Sequence, residues 1–231
     1  MGPGIAAAVQ QWDGASAGFM SVSWQDIKLR GAFMQVPYFS QWESAELAPD
    51  LVAGTASLRD DPLWRASGAT TQEEYVDWAN HVCGMACLKM VLAARQGRVE
   101  PVLKLARLAR HYGAYEVSAE NIRGMIYAPF VAMLSEEFGL AAEVKTGLQA
   151  TELPALMDKG RLYMASVHHS IRLPQSEPPR RGGHLVLITK ADGERVVFHN
   201  PSGDTPATRV DVCLPAGVFE RFYAGRGVLI H

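Results

Sequence analysis

Helical spacing fills the first half of this chain and strand alternation fills the second. That segregation restricts the fold more than any other feature. It predicts an α+β arrangement in which helices and an antiparallel sheet are separate, not a βαβ winding. Thr71-Gln72-Glu73-Glu74 reads as a capping box, with Thr at the cap and Glu three residues on, opening a short helix to about residue 80. Residues 83–96 place Cys83, Ala86, Cys87, Met90, Val91 and Ala94 on one helical stripe. Met85, Leu88 and Leu92 make the other sides apolar too, so this helix should be buried nearly all round. Pro101 suits the first turn of a helix to about residue 110. Pro129 and Gly139 bracket a further helix, and Thr151 and Gly160 another. Beyond Gly160, residues 161–167, 184–190, 195–199, 208–214 and 227–230 read as strands, with a short helix at 218–223.

The chain has 231 residues, 48% hydrophobic and 20% charged, which suits one large domain or two lobes around a cleft. Residues 1–30 read as an arm or extra strand, and 31–231 as the main domain. Its helical part is expected at about 71–160 and its sheet part at about 161–231. The run 34–39 reads as extended, and the polar stretch 53–70 as a loop or insertion. A net charge of −2 gives no reason to expect nucleic acid as a partner. No apolar stretch approaches the roughly 18 residues that cross a bilayer, so no membrane partner is expected. The N-terminus has neither a basic start nor an apolar run, so it does not read as a signal peptide, and a cytoplasmic location is the expectation. Three cysteines are too few for a disulfide framework and leave room for a reactive thiol.

Cys83 falls at the start of the buried helix. A thiol there meets the free N–H groups of the first turn, which favour thiolate and can receive an oxyanion. Its pKa should therefore lie below that of a free cysteine. Cys87, one turn further in, and Cys213, within a strand, read as core. The candidate base is His184, which follows Gly182-Gly183 and opens a strand. The next strand ends at His199-Asn200-Pro201-Ser202-Gly203, and Asp192-Gly193 marks the hairpin turn between them. A tight loop centred on 192 would set 188 against 196, 186 against 198 and His184 against Asn200. An amide in that position can fix the tautomer of an imidazole, the third role in a nucleophile–base–orienter set. The other histidines suit the base role less well; His81, two residues before Cys83, has an awkward reach. The Cys-x3-Cys spacing inside an apolar helix is not that of a zinc site, and no cofactor is expected. The Pro- and Gly-rich run 173–183 leads directly into His184 and reads as a flap over the cleft.

Four phrases together resemble a known family: Val36-Pro37-Tyr38-Phe39-Ser40-Gln41, Cys83-Gly84-Met85-Ala86-Cys87, Gly183-His184-Leu185-Val186-Leu187 and His199-Asn200-Pro201-Ser202-Gly203. They look like the C39-like, bacteriocin-processing type of cysteine peptidase, from about Tyr38 to the C-terminus. The resemblance implies a papain-like fold, with Cys on a helical lobe and His and Asn on an antiparallel sheet lobe. It also implies Gln41 as a side-chain donor to the oxyanion. Two departures stand out. Some forty residues separate Gln41 from Cys83, where the family has only a few, and Asn200 stands where many relatives have Asp.

The residues therefore predict a hydrolase of peptide or amide bonds, acting through an acyl-enzyme on Cys83. Acyl transfer to an amine or thiol by the same Cys–His–Asn set is one alternative, and an inactive peptide-binding relative is another.

Overall fold

The computed structural model describes residues 35–118 and 121–231. The expected arm at 1–30 and the first residue of the 34–39 run lie outside the described residues. The described chain begins with a 3-10 turn (Ala45–Leu47), helix α1 (Ala48–Ala53), two further 3-10 turns (Leu58–Asp60 and Trp64–Ser67) and α2 (Gln72–Trp78). Then come α3 (Cys83–Gln96) and α4 (Val102–His111), followed by a small hairpin of β1 (Tyr115–Val117) and β2 (Ile122–Gly124). Helix α5 (Tyr127–Phe138), β3 (Ala142–Thr146), α6 (Leu153–Leu156) and β4 (Leu162–Val167) lead into β5 (His184–Ala191) and β6 (Arg195–His199). Short α7 (Pro206–Arg209), β7 (Val212–Pro215), α8 (Ala216–Phe222) and β8 (Tyr223–Ile230) complete it.

The expected α+β class is found. Strands β3 to β8 form an antiparallel sheet in the order β3-β8-β4-β5-β6-β7. Alternate side chains of its central strands enter two cores. Leu162 and Met164 of β4 and Leu185 and Leu187 of β5 join α3, α4 and α5 on one face. Tyr163, Ala165 and Val167, with Val186 and Ile188, join α8 on the other. Burial on both faces explains why β4 is apolar or small at each of its six positions.

Helix α3 forms as its pattern predicts. It runs from Cys83 to Gln96 with nine consecutive buried residues, Gly84 to Leu92, and ends on a left-handed Gly97. The α2 cap is also as expected, with the Thr71 side chain accepting from the Glu74 N–H at 3.1 Å. Other expectations are corrected. Strands β1, β2 and β3 lie within the stretch expected to be helical. They are short and half-exposed, so their apolar alternation is too brief to register. The helix expected at 151–160 is broken: Pro154 starts the one-turn α6, and Lys159 takes a positive φ of 60°. The strand expected from 208 begins at Val212, because Pro206 first nucleates α7.

The β5–β6 register also differs from the expected one. Ile188 faces Phe198 and Leu187 faces His199, two residues away from the predicted pairing. The turn is wider than a tight one. Asp192 caps it by accepting the N–H groups of Glu194 and Arg195, and a bulge lies between Ile188 and Lys190. A shift of two preserves the face that each side chain occupies.

Beyond β6 the chain turns at Asn200-Pro201-Ser202-Gly203, closed by the Gly203 N–H on the Asn200 carbonyl at 3.0 Å. A Cβ on Gly203 would lie 2.3 Å from the Thr208 carbonyl oxygen, which is backbone and cannot swing aside. Gly203→Ala should therefore destabilise the protein by about 1–3 kcal/mol in denaturant unfolding. Gly217, exposed in α8 with nothing near its Cβ position, is the control. Gly217→Ala should be neutral or stabilising by up to about 1 kcal/mol. Equal unfolding midpoints for the two variants would refute this account of the turn.

Candidate active site

Cys83 is the first residue of α3, and His184 is the first of β5. Both line one cavity of about 390 Å³, together with Gly84, Leu185, Tyr115 and Met125 among others. Cys83 is half-buried, and its sulfur lies near the N–H groups of Leu185, Gly84 and Cys83 itself. Those groups come from two elements, the N-terminus of α3 and the start of β5. Cys87, one turn inside α3, is fully buried and points its thiol at the Leu185 carbonyl, 3.7 Å away.

His184 Nε2 lies 2.8 Å from Asn200 Oδ1. The register alone would not bring them together; the turn after β6 does. The Ser202 backbone N–H donates to Asn200 Oδ1 at 3.2 Å, an Asx turn inside the β-turn. A backbone N–H can only donate, so the amide atom facing the ring is the oxygen. Nε2 must then carry its proton toward that oxygen, which leaves Nδ1 with the free lone pair. The turn is held in turn by the Asn200 N–H on the Arg209 carbonyl at 2.8 Å and by the Tyr38 hydroxyl on the Asn200 carbonyl at 3.1 Å.

Sequence reasoning missed Ser202. Its hydroxyl lies 3.1 Å from His184 Nε2 and 3.3 Å from Asn200 Oδ1, so it closes a buried triangle with them. The Asn-Pro-Ser-Gly phrase carried that signal, since its turn chemistry presents the third residue's N–H and hydroxyl to the first residue's side chain.

Gln41 is buried but is not among the residues lining this cavity. Its side-chain amide donates to the Ala79 carbonyl at 3.3 Å, in the turn just before Cys83, and its Oε1 is buried without a protein partner. The Gln41 backbone N–H donates to the Pro201 carbonyl at 3.0 Å. Residues 38–42 thus strap the Cys83 turn to the Asn200 turn. His81, an awkward base by its spacing, does reach the cavity wall.

Electrostatics corrects the expectation of a low thiol pKa. Burial pushes the Cys83 thiol up, and the three N–H groups only partly offset it. Burial likewise lowers the His184 ring to about 4. Its hydrogen bond to Asn200 works the other way, and Arg172, His169 and His168 add to the lowering. At rest the two groups are therefore a neutral thiol and a neutral imidazole.

The run 173–183 has no regular structure, as expected, yet it is tied to α8. Arg221 meets Glu177 at 2.5 Å, and Arg181 meets Glu220 at 3.1 Å. Among the described residues no group of three or more His, Cys, Asp or Glu side chains is placed to hold a metal, and no helix is long and apolar enough to cross a membrane.

No protein-family model matches the chain, and no curated protein matches it. Two solved structures are similar. One is the peptidase domain of ComA from Streptococcus, a bifunctional ABC transporter involved in quorum sensing. It is 15% identical, with a TM-score of 0.45, over 64% of this chain and 90% of that one. The other is a protein from Bacillus anthracis described as a C39-like peptidase. It is 13% identical, with a TM-score of 0.41, over 86% of this chain and 95% of that one. The second carries the C39-like description that the sequence phrases resemble.

The neutral resting pair predicts a pH response. Alkylation of native Cys83 by iodoacetamide should keep rising with pH past about 8.5, the usual thiol value, with no plateau near pH 6. A plateau near pH 6 would mean a standing thiolate. Stability gives the companion measurement. The unfolded ring charges near pH 6.5, whereas the folded ring resists protonation down to about 4. The contribution is full above about pH 6.5 and is lost as pH falls through that window. His184→Gln should flatten the acid limb of stability against pH; an unchanged slope would contradict the burial argument.

Proposed function

We propose that this protein hydrolyses a peptide or amide bond through an acyl-enzyme, with Cys83 as nucleophile, His184 as base and Asn200 as the residue that orients the base. The observation that carries this reading is the Ser202–Asn200–His184 hydrogen-bond chain, which leaves Nδ1 as the ring's free nitrogen in a cavity shared with Cys83. In the proposed reaction Nδ1 takes the thiol proton as sulfur attacks the carbonyl carbon, and then gives it to the leaving amine. Water, deprotonated by the same nitrogen, releases the acyl group and restores the thiol. Because the pair rests neutral, the thiol proton has to be taken up by His184 within each turnover.

The oxyanion would be received by the Cys83 backbone N–H at the start of α3. Gln41 is the proposed second donor. Its amide gives one N–H to Ala79 and has another to offer. The cavity supports a peptide substrate in size, and no cofactor enters the scheme.

The test uses a proteome-derived peptide mixture, with new termini read by mass spectrometry. Cys83→Ala should abolish cleavage, and His184→Ala should slow it at least about 10²-fold, the usual contribution of a general base. Asn200→Ala should cost less than His184→Ala, and Asn200→Asp less again, because Asp still accepts the Nε2 proton. Ser202→Ala should cost least, since its backbone N–H survives. Folded His184→Ala protein that cleaves at the wild-type rate would end the hydrolase assignment.

A further inference from the structure

We propose that the wall of the cavity formed by Arg226, Tyr127 and Ser166 seats a carboxylate of the substrate, beside the bond that Cys83 attacks. The proposal rests on the hydrolase reading above and adds to it a substrate class: peptides with an acidic side chain or a free C-terminus next to the scissile bond.

The chain as a whole is slightly acidic, with 24 Asp and Glu against 22 Lys and Arg. The cavity wall reverses that balance, holding Arg123 and Arg226 and no carboxylate. Arg123 is already paired with Glu116 at 3.2 Å. Arg226 has no carboxylate within ion-pair distance among the described residues. The Tyr127 hydroxyl lies near it, and near Ser166 as well. A guanidinium fork flanked by two hydroxyls is a donor set matched to a carboxylate, which accepts through both oxygens.

The set is held by the same elements as the reactive pair. Ser166, buried in β4, faces Leu185 of β5, and the Leu185 N–H is one of those that lie near the Cys83 sulfur. Tyr127 lies close enough to Cys83 for a thiolate there to oppose its ionisation. A Cβ built on Gly182, two residues before His184, would lie 3.1 Å from Ser166 Oγ and 3.6 Å from Arg226 Nη2. Arg180 approaches the same segment, with Nη2 3.8 Å from the Cβ position of Gly183. The seat therefore adjoins the Gly182-Gly183-His184 edge, where the residue next to a bond attacked by Cys83 would lie.

A binding experiment tests this without requiring turnover. Full-length 15N-labelled protein is titrated with three probes: N-acetylglutamate α-amide, N-acetylglycine and N-acetylglutamine α-amide. One of the two carboxylates should bind at least about tenfold more tightly than the glutamine compound, the worth of a charge-assisted bond, and should shift the Gly182 and Gly183 amides. Arg226→Gln should remove most of that advantage. Arg226 is exposed, so the variant should keep the wild-type spectrum elsewhere. Preference for the glutamate compound assigns an acidic side chain, and preference for N-acetylglycine assigns a C-terminal carboxylate. Equal binding of all three, or an advantage that survives in Arg226→Gln, would overturn the proposal. Carboxylate binding without peptide cleavage would instead leave the seat standing and remove the hydrolase reading.

Discussion

One backbone hydrogen bond, from the Ser202 N–H to Asn200 Oδ1, fixes the chemistry of everything around it. It decides which end of the Asn200 amide faces His184, and so which ring nitrogen carries the proton. The bond exists because Pro201 and Gly203 shape a turn in which an Asx side chain meets the N–H two residues on. Asn before Pro is common as a plain turn starter. Here the turn-forming property and the site-forming property are the same geometry.

Burial and charge compete at this site, and burial prevails at rest. The helix N-terminus, which favours thiolate at an exposed cysteine, is opposed at Cys83 by the cost of removing charge from water. His184 faces the same cost, and the nearby Arg172, His168 and His169 add to it. A substrate that brings negative charge into the cavity would ease formation of an imidazolium. A carboxylate beside Arg226 would have that effect on a site otherwise lined by cations and neutral groups.

Much of this was legible in the sequence, for physical reasons that differ from place to place. Helix α3 was plain because its apolar stripe is long and its first residue and terminal Gly97 mark both ends. The β5–β6 hairpin was plain as a hairpin but not in register. Asp192-Gly193 announces a turn, whereas the capping by the Asp192 side chain and the bulge after Ile188 leave no local mark. The error was an even number of residues, so side-chain faces survived it. Strands β1 to β3 were illegible because three to five half-exposed residues carry too little alternation to outweigh flanking helices. Ser202 was missed because its contact with His184 depends on a turn, and Arg226 because its place in the cavity wall depends on which strands become neighbours.

The spacing between Gln41 and Cys83 has a structural account. The intervening chain does not loop out but builds its own small core on α2, from Trp42, Ala48, Tyr75 and Ala79. Buried Asp61 ties it together, accepting from the Ser44 N–H and hydroxyl, the Leu63 N–H and the Tyr75 hydroxyl. This brings residues 38–42 back against both turns of the site: Gln41 on Ala79, Trp42 on Asn80, and Ser40 and Gln41 on Pro201. Cys83 and Asn200 sit on different elements, a helix and a loop after a strand. Their relative position is therefore set twice, once through the α3–β5 core and once through this strap. Loosening the strap would leave α3 packed on the sheet while removing three hydrogen bonds from the Asn200 turn, one each from Tyr38, Ser40 and Gln41.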